Sequence, residues 1–308
     1  MRVLLASLFV TSVAGLTSCS SDPAPATQVT LSLHSDVDIP KDFDRVRILV
    51  RQAGQLRYDL TYEAGTELLI PGTIAIAAGD DRASPVTVEI RAFVDQAGTD
   101  PEKIAPRVLR RARFSFIEGR SLLLRMPLRF SCFDRSDCGE GRTCAGGACV
   151  PADVDATTLP TFTPSLVFGP EVATNGAGCF DTRSCLPKSV RVARTADRDR
   201  CVFELPAGVD AGRVTVALER IVSPTKSKIG FCDAELCRVA LDQDDVEGWS
   251  FDGDRRDRIV LSAGLCERLG EGHFDGVAAV DACGTKRADV PDCQELAAAT
   301  GKSLAGAP

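Results

Sequence analysis

Aromatic and imidazole side chains are scarce in this chain. Among 308 residues, Trp249 is the single tryptophan, Tyr58 and Tyr62 are the two tyrosines, and His34 and His273 are the two histidines. A sugar-cleaving site needs two carboxyls, which distant strands can supply, and normally stands beside aromatic platforms. The shortage weakens that reading. There is no Gly-x-Ser-x-Gly elbow, no phosphate-cradling glycine loop and no nucleotide fingerprint. No Cys-x2-Cys pair occurs, and neither histidine lies near a thiol cluster, which argues against zinc. A net charge of -7 does not suit tracking of a nucleic-acid backbone. No apolar run approaches the roughly 20 residues needed to span a bilayer.

Cysteine is absent from residues 20–131 and abundant after them. Of 13 cysteines, Cys19 stands alone near the amino end. The other twelve are Cys132, Cys138, Cys144, Cys149, Cys179, Cys185, Cys201, Cys232, Cys237, Cys266, Cys283 and Cys293. An even set in an exported chain predicts a disulfide framework, here six bridges.

The amino end predicts export. Arg2 and the start amine give positive charge, Val3 to Ala14 is apolar, and small residues follow at Gly15, Thr17 and Ser18. Leu16-Thr17-Ser18-Cys19 then places an aliphatic residue and two small residues before a cysteine. This resembles the lipobox of bacterial lipoprotein precursors, in particular modular outer-membrane lipoproteins of Gram-negative bacteria. The resemblance implies cleavage before Cys19, a diacylglyceryl thioether on its sulfur and acylation of the new amino terminus. Two or three chains hold a protein firmly, at about 0.8 kcal/mol per buried methylene. Ser20, where an Asp tends to retain such proteins at the inner membrane, implies the outer membrane. Parity agrees, because lipid on Cys19 leaves an even twelve.

Composition then divides the chain. Residues 1–18 read as the signal peptide and 19–28 as a lipidated, Pro-containing tether. Residues 29–130 read as all-β, with strands expected at Val29–Leu33, Val46–Arg51, Tyr58–Tyr62, Glu67–Ile70, Thr73–Ala77, around Val86–Arg91, Arg113–Ile117 and Leu122–Leu128. Such a set of short strands predicts a β-sandwich of immunoglobulin or fibronectin III plan, without the Cys…Trp…Cys signature.

Residues 131–150 form a compact cysteine module, Cys132-x5-Cys138-x5-Cys144-x4-Cys149, with little else to bury. It resembles EGF-like or Dickkopf-type modules, which carry no activity. Three pairings are open, and the favoured one joins Cys132 to Cys144 and Cys138 to Cys149. Residues 151–164 read as a Pro-containing linker, 165–298 as a second, disulfide-rich β domain, and 299–308 as a frayed tail, with a short terminal helix over 294–300. The predicted fold class is therefore mostly β: two sandwich-like domains joined by a disulfide module.

Candidate sites are few. His34 alternates with Leu31 and Leu33 and is expected to face solvent. His273 falls in a turn without a nucleophile beside it. The acids Asp242, Asp244, Asp245 and Glu247, followed by Asp252, Asp254 and Asp257, are the one calcium candidate, since calcium takes six to eight oxygens. However, Arg255, Arg256 and Arg258 interleave with them, and no EF-hand loop is present. A solvated charged turn is the commoner outcome. Trp249 is expected in the core. Arg107, Arg110, Arg111 and Arg113 are expected on a solvated strand edge, with docking of an anionic partner as the alternative.

No catalytic residue and no cofactor other than lipid on Cys19 is expected. The expected partners are the membrane, through the anchor, and envelope proteins or glycans, with no nucleic acid or nucleotide. The expected role is binding, adhesion or envelope organisation. The alternatives are an anchored carboxylate-based hydrolase and an accessory subunit of an envelope complex.

Overall fold

The computed structural model describes residues 26–169, 179–196, 200–223, 228–290 and 292–293. The leader, Cys19, most of the tether, the expected terminal helix and the tail lie outside the described residues.

The chain is mostly β. The first half contributes β1 (Gln28–Leu33), β2 (Arg45–Gln52), β3 (Gln55–Glu63), β4 (Gly72–Ala77), β5 (Val86–Phe93), β6 (Val108–Phe114) and β7 (Ser121–Arg125). They form two sheets, ordered β4-β1-β7 and β3-β2-β5-β6. β1 runs antiparallel to β4 and parallel to β7, while the larger sheet is antiparallel throughout. Alternation sets the inner faces. Leu31 and Leu33, Val46 and Ile48, and Val88 and Ile90 are all buried in one apolar cluster.

Two expectations fail locally. Glu67–Ile70 is no strand, and Leu68 makes only an isolated bridge to Ala64. β6 begins at Val108 rather than Arg113. Val108, Arg110, Ala112 and Phe114 turn inward, which a reading of those arginines as solvated does not anticipate.

β8 (Arg142–Ala145) and β9 (Ala148–Pro151) form the hairpin of the cysteine module. Its bridges are Cys132–Cys144 and Cys138–Cys149. The module lies along β6: the Arg111 amide donates to Thr143 Oγ1 at 2.8 Å, and the Arg113 amide to the Ala152 carbonyl at 2.8 Å. Residues 160–162 continue along β7, where the Leu123 amide donates to the Pro160 carbonyl at 2.9 Å.

The second half adds two short helices, α1 (Ser165–Phe168) and α2 (Thr182–Cys185), and two more sheets. One sheet is made of β10 (Val190–Arg191), β13 (Thr215–Ile221), β14 (Phe231–Cys232), β15 (Leu236–Leu241) and β18 (Gly276–Val280). The other holds β11 (Ala193–Arg194), β12 (Val202–Glu204), β16 (Trp249–Asp252) and β17 (Arg255–Leu261), with α3 (Ala263–Gly270) after it. Bridges Cys179–Cys293, Cys185–Cys283, Cys201–Cys266 and Cys232–Cys237 staple this half. One apolar cluster runs through both halves, with the Phe130 ring 6.3 Å from that of Phe274 and Trp249 fully buried.

Candidate functional site

The densest group of buried charge lies where the halves meet. Beyond β1 the chain stays paired: the Leu128 amide donates to the His34 carbonyl at 2.7 Å, and the Phe130 amide to Asp36 Oδ1 at 2.8 Å. This pairing carries His34 and Asp36 inward and aligns Arg129 with them. From the second half, Asp242 follows directly on β15. Lys286 is held by its own backbone, whose amide donates to Thr215 Oγ1 at 2.9 Å and whose carbonyl accepts from the Gln243 amide at 2.9 Å. The Lys286 ammonium donates to Asp242 Oδ1 at 2.6 Å, and the Arg129 guanidinium donates to Asp242 Oδ2. One carboxylate is thus clamped by two cations, each side chain about 5% exposed.

Electrostatics follow from that enclosure. Burial alone would push the Asp242 carboxyl up, but the adjacent Arg129 and Lys286 charges outweigh it and hold it at about 2. Asp36 lacks such a direct clamp, and burial pushes it up to about 6 despite Arg129 and the Phe130 amide. His34 is held down at about 3, by burial first and the Arg129 charge second. It is a neutral imidazole at physiological pH.

Arg110 and Glu247 pair at 2.9 Å beside this knot, and Arg110 also donates to the Cys144 carbonyl of the module. A pocket of about 200 Å³ opens over both pairs, lined by His34, Arg110, Arg125, Arg129, Asp242, Asp244 and Glu247 with Pro127, Val246 and Ala288. His34 Nε2, Arg110 Nε and Glu247 Oε2 are buried in its walls without hydrogen-bond partners. Cations and anions balance around it, and its apolar lining is aliphatic. The arrangement suits a small polar molecule better than an ion of either sign.

Other hollows among the described residues are larger. One, of about 290 Å³, is mainly apolar and lies between Ile39, Pro40, Leu69, Ile70 and Phe231. A groove of about 770 Å³ runs between the module and the first half, over Glu89, Arg111 and Arg113. The grouping of Asp137 with Cys138 and Cys149 has the spacing of metal ligands, but its two sulfurs are bonded to each other.

Several sequence expectations need correction. His34 does not face solvent: the pairing of residues 34–36 with 128–130 extends beyond β1 and encloses it. The arginine cluster is not simply a solvated edge. Arg110 is buried against Glu247, Arg111 donates to Glu89 at 2.6 Å, and the module covers the edge they occupy. Asp242 does not join its neighbouring acids around a cation site, because Arg129 and Lys286 occupy it.

Asp252, Asp254 and Asp257 sit on the hairpin of β16 and β17, where Asp252 pairs with Arg200 at 2.6 Å and Asp257 with Arg255 at 2.6 Å. His273 lies in the turn after α3, with Nε2 3.1 Å from both Arg268 and Glu271. Asp36, Arg129 and Lys286 were not singled out from sequence. The one local signal was Arg129 itself, a charge set between Leu128 and Phe130.

All twelve described cysteines are in disulfides, so none is available as a thiol nucleophile. Among the described residues no helix is long and apolar enough to cross a membrane. Comparison with protein-family models, curated proteins and solved structures finds no match.

Proposed function

We propose that this chain is a lipid-anchored protein of the bacterial outer membrane, acylated on Cys19, with a binding, adhesion or envelope-organising role and no catalysis of its own. The pairing of all twelve later cysteines is the observation that carries this reading. Six bridges belong to an oxidising compartment. They leave Cys19 as the one thiol without a described bridge, at the position where a lipobox needs it. Seven strands in facing sheets of three and four support an immunoglobulin- or fibronectin III-like plan for the first half.

The buried charges favour binding over catalysis. Asp242 and Glu247 share a pocket, as a carboxylate hydrolase would require, but each is neutralised by a buried cation and no Phe, Tyr or Trp ring lines the space. The hydrolase alternative therefore ranks lower. Metabolic labelling with a fatty-acid analogue, followed by fractionation, tests the anchor. The parent chain should carry label and pellet with membranes, and Cys19→Ala should lose both properties. A Cys19→Ala protein that still pellets in detergent-free buffer would refute the anchor. Alkylation of the unreduced, mature protein should find no free thiol.

A further inference from the structure

One of the six bridges differs from the rest in where it lies. Cys232 is the only exposed cysteine among the twelve described. It closes on Cys237 between β14 and β15, where the two residues face each other in the antiparallel register. This bridge spans five residues, while the others span 11 to 114. Cys237 is its inner member, 2% exposed.

The fold around this bridge is held by other means. Asp233 Oδ1 accepts from the Glu235 and Leu236 amides at 2.9 and 2.8 Å, which sets the turn between the strands. Asp233 Oδ2 accepts from the Arg238 guanidinium at 2.6 Å, which ties that turn back to β15. On the other side of Cys232, the Gly230 amide donates to the buried Asp42 Oδ2 at 2.7 Å. Opening a loop of five residues also releases little chain entropy. The strand pair therefore keeps its shape with the bridge open, and its two sulfurs stay placed to join again.

We propose that Cys232–Cys237 is a thiol-exchange site, at which a small external thiolate attacks the Cys232 sulfur and forms a mixed disulfide there. As the new S–S bond forms, the bond to Cys237 breaks. Its electron pair leaves on the Cys237 sulfur, which takes a proton from water. A second external thiolate attacks the bound one, departs with it as a disulfide and leaves Cys232 as a thiol. Two external thiols are oxidised, and one bridge is reduced. Access selects the bridge, because exchange needs a reachable sulfur and exposed disulfides are the labile ones. Access also selects Cys232 over Cys237. Register favours Cys237 as the leaving sulfur: Arg220 stands directly opposite it on β13 and lines one small hollow with it. A neighbouring guanidinium stabilises a thiolate. The site stands whether or not Cys19 carries lipid.

The test uses the full chain, folded and oxidised, with reduced glutathione as the thiol. Samples are quenched at intervals, alkylated and mapped by peptide mass spectrometry. The Cys232–Cys237 bridge should open roughly tenfold or more faster than any of the other five. Glutathione trapped early should sit on Cys232, and far-UV circular dichroism should not change. Exchange into glutathione disulfide should close the bridge again. A joint Cys232→Ser and Cys237→Ser variant should keep the parent's spectrum and carry no early adduct on the ten cysteines still bridged. A different bridge that opens as fast, an early adduct on Cys237 instead, or opening only with loss of the dichroism signal would each overturn the proposal. So would a double variant that loses its spectrum or still takes up glutathione at those ten positions.

Discussion

Arg129 and Asp242, 113 residues apart in sequence, close a buried ion pair across the junction of the two halves. Lys286 completes it from a third segment at 2.6 Å. Breaking such a pair from one side leaves a charge in low dielectric and costs about 3–5 kcal/mol, whereas replacing both partners with apolar groups is often near neutral. Asp242→Leu, which strands both cations, should therefore lower unfolding stability by about that amount, measured in urea with the disulfides intact. A joint Arg129→Met, Asp242→Leu and Lys286→Met replacement should recover much of it. An Asp242→Leu protein as stable as the parent would show that the knot contributes nothing.

His34 and Asp36 give this junction two opposed responses to acid. An unfolded histidine takes its proton near pH 6.5, while native His34 stays neutral to about 3. It therefore subtracts stability as pH falls through that window, by about 1.4 kcal/mol per pH unit. Native Asp36 is protonated below about 6, while the unfolded carboxyl waits until about 3.8. It adds stability as pH falls between those values, at the same slope. The parent protein should thus be nearly flat from pH 6 to 4. Below about 3.8 it should lose stability steeply, as Asp242, held at about 2, joins His34. His34→Gln should unmask a rise in stability on acidifying from 6 to 4, and Asp36→Asn should unmask a fall. Identical profiles for the two variants would contradict both assignments.

The module's hairpin turn meets α3 backbone to backbone. A Cβ added to Gly264 would lie 1.7 Å from the Gly146 carbonyl oxygen, and one added to Gly147 would lie 2.5 Å from the Gly264 Cα. No rotamer relieves such contacts, so Gly264→Ala must push the module away. It should cost about 3 kcal/mol, the upper end for overpacking. Gly270, in the same helix, has open space around it. Gly270→Ala should be neutral or stabilise by about 0.5–1 kcal/mol. Equal effects at the two positions would mean that helix propensity, rather than docking, governs Gly264.

Local pattern carried part of this molecule. Alternation in Val29–Leu33 and around Val86–Arg91 marked true strands, and the spacing of Cys132, Cys138, Cys144 and Cys149 marked a stapled module, though not its hairpin. The fate of charges was not legible, because burial of an ionised group depends on partners far along the chain. Asp242 read as one acid among several until Arg129 and Lys286 were placed on it. Arg110 read as solvated until Glu247 reached it. The strand at Trp249–Asp252 was hidden for a related reason: the acids around it resemble a loop, while Gly253 and Asp254 are the turn of a hairpin. Edge coverage by residues 134–162 was equally invisible, since hydrogen bonding along β6 and β7 leaves no periodic trace.

The disulfides of the second half should differ in weight according to the loops they close. Cys185–Cys283 spans 98 residues and Cys232–Cys237 only five. A cross-link stabilises chiefly by removing freedom from the unfolded chain; because Cys179–Cys293 encloses the long bridge, the loop it effectively closes is about 16 residues, worth about 3 kcal/mol, against about 2 for the short one. The long bridge also ties the loop after β18 to α2, where Cys185 is fully buried. Paired alanine replacement of Cys185 and Cys283 should therefore lower stability more than replacement of Cys232 and Cys237, by about 1 kcal/mol from loop closure alone. It should also expose apolar surface, read as increased dye binding. If the two pairs prove equal in urea unfolding, loop closure is not what these bridges contribute, and native-state packing around each sulfur must set their value instead.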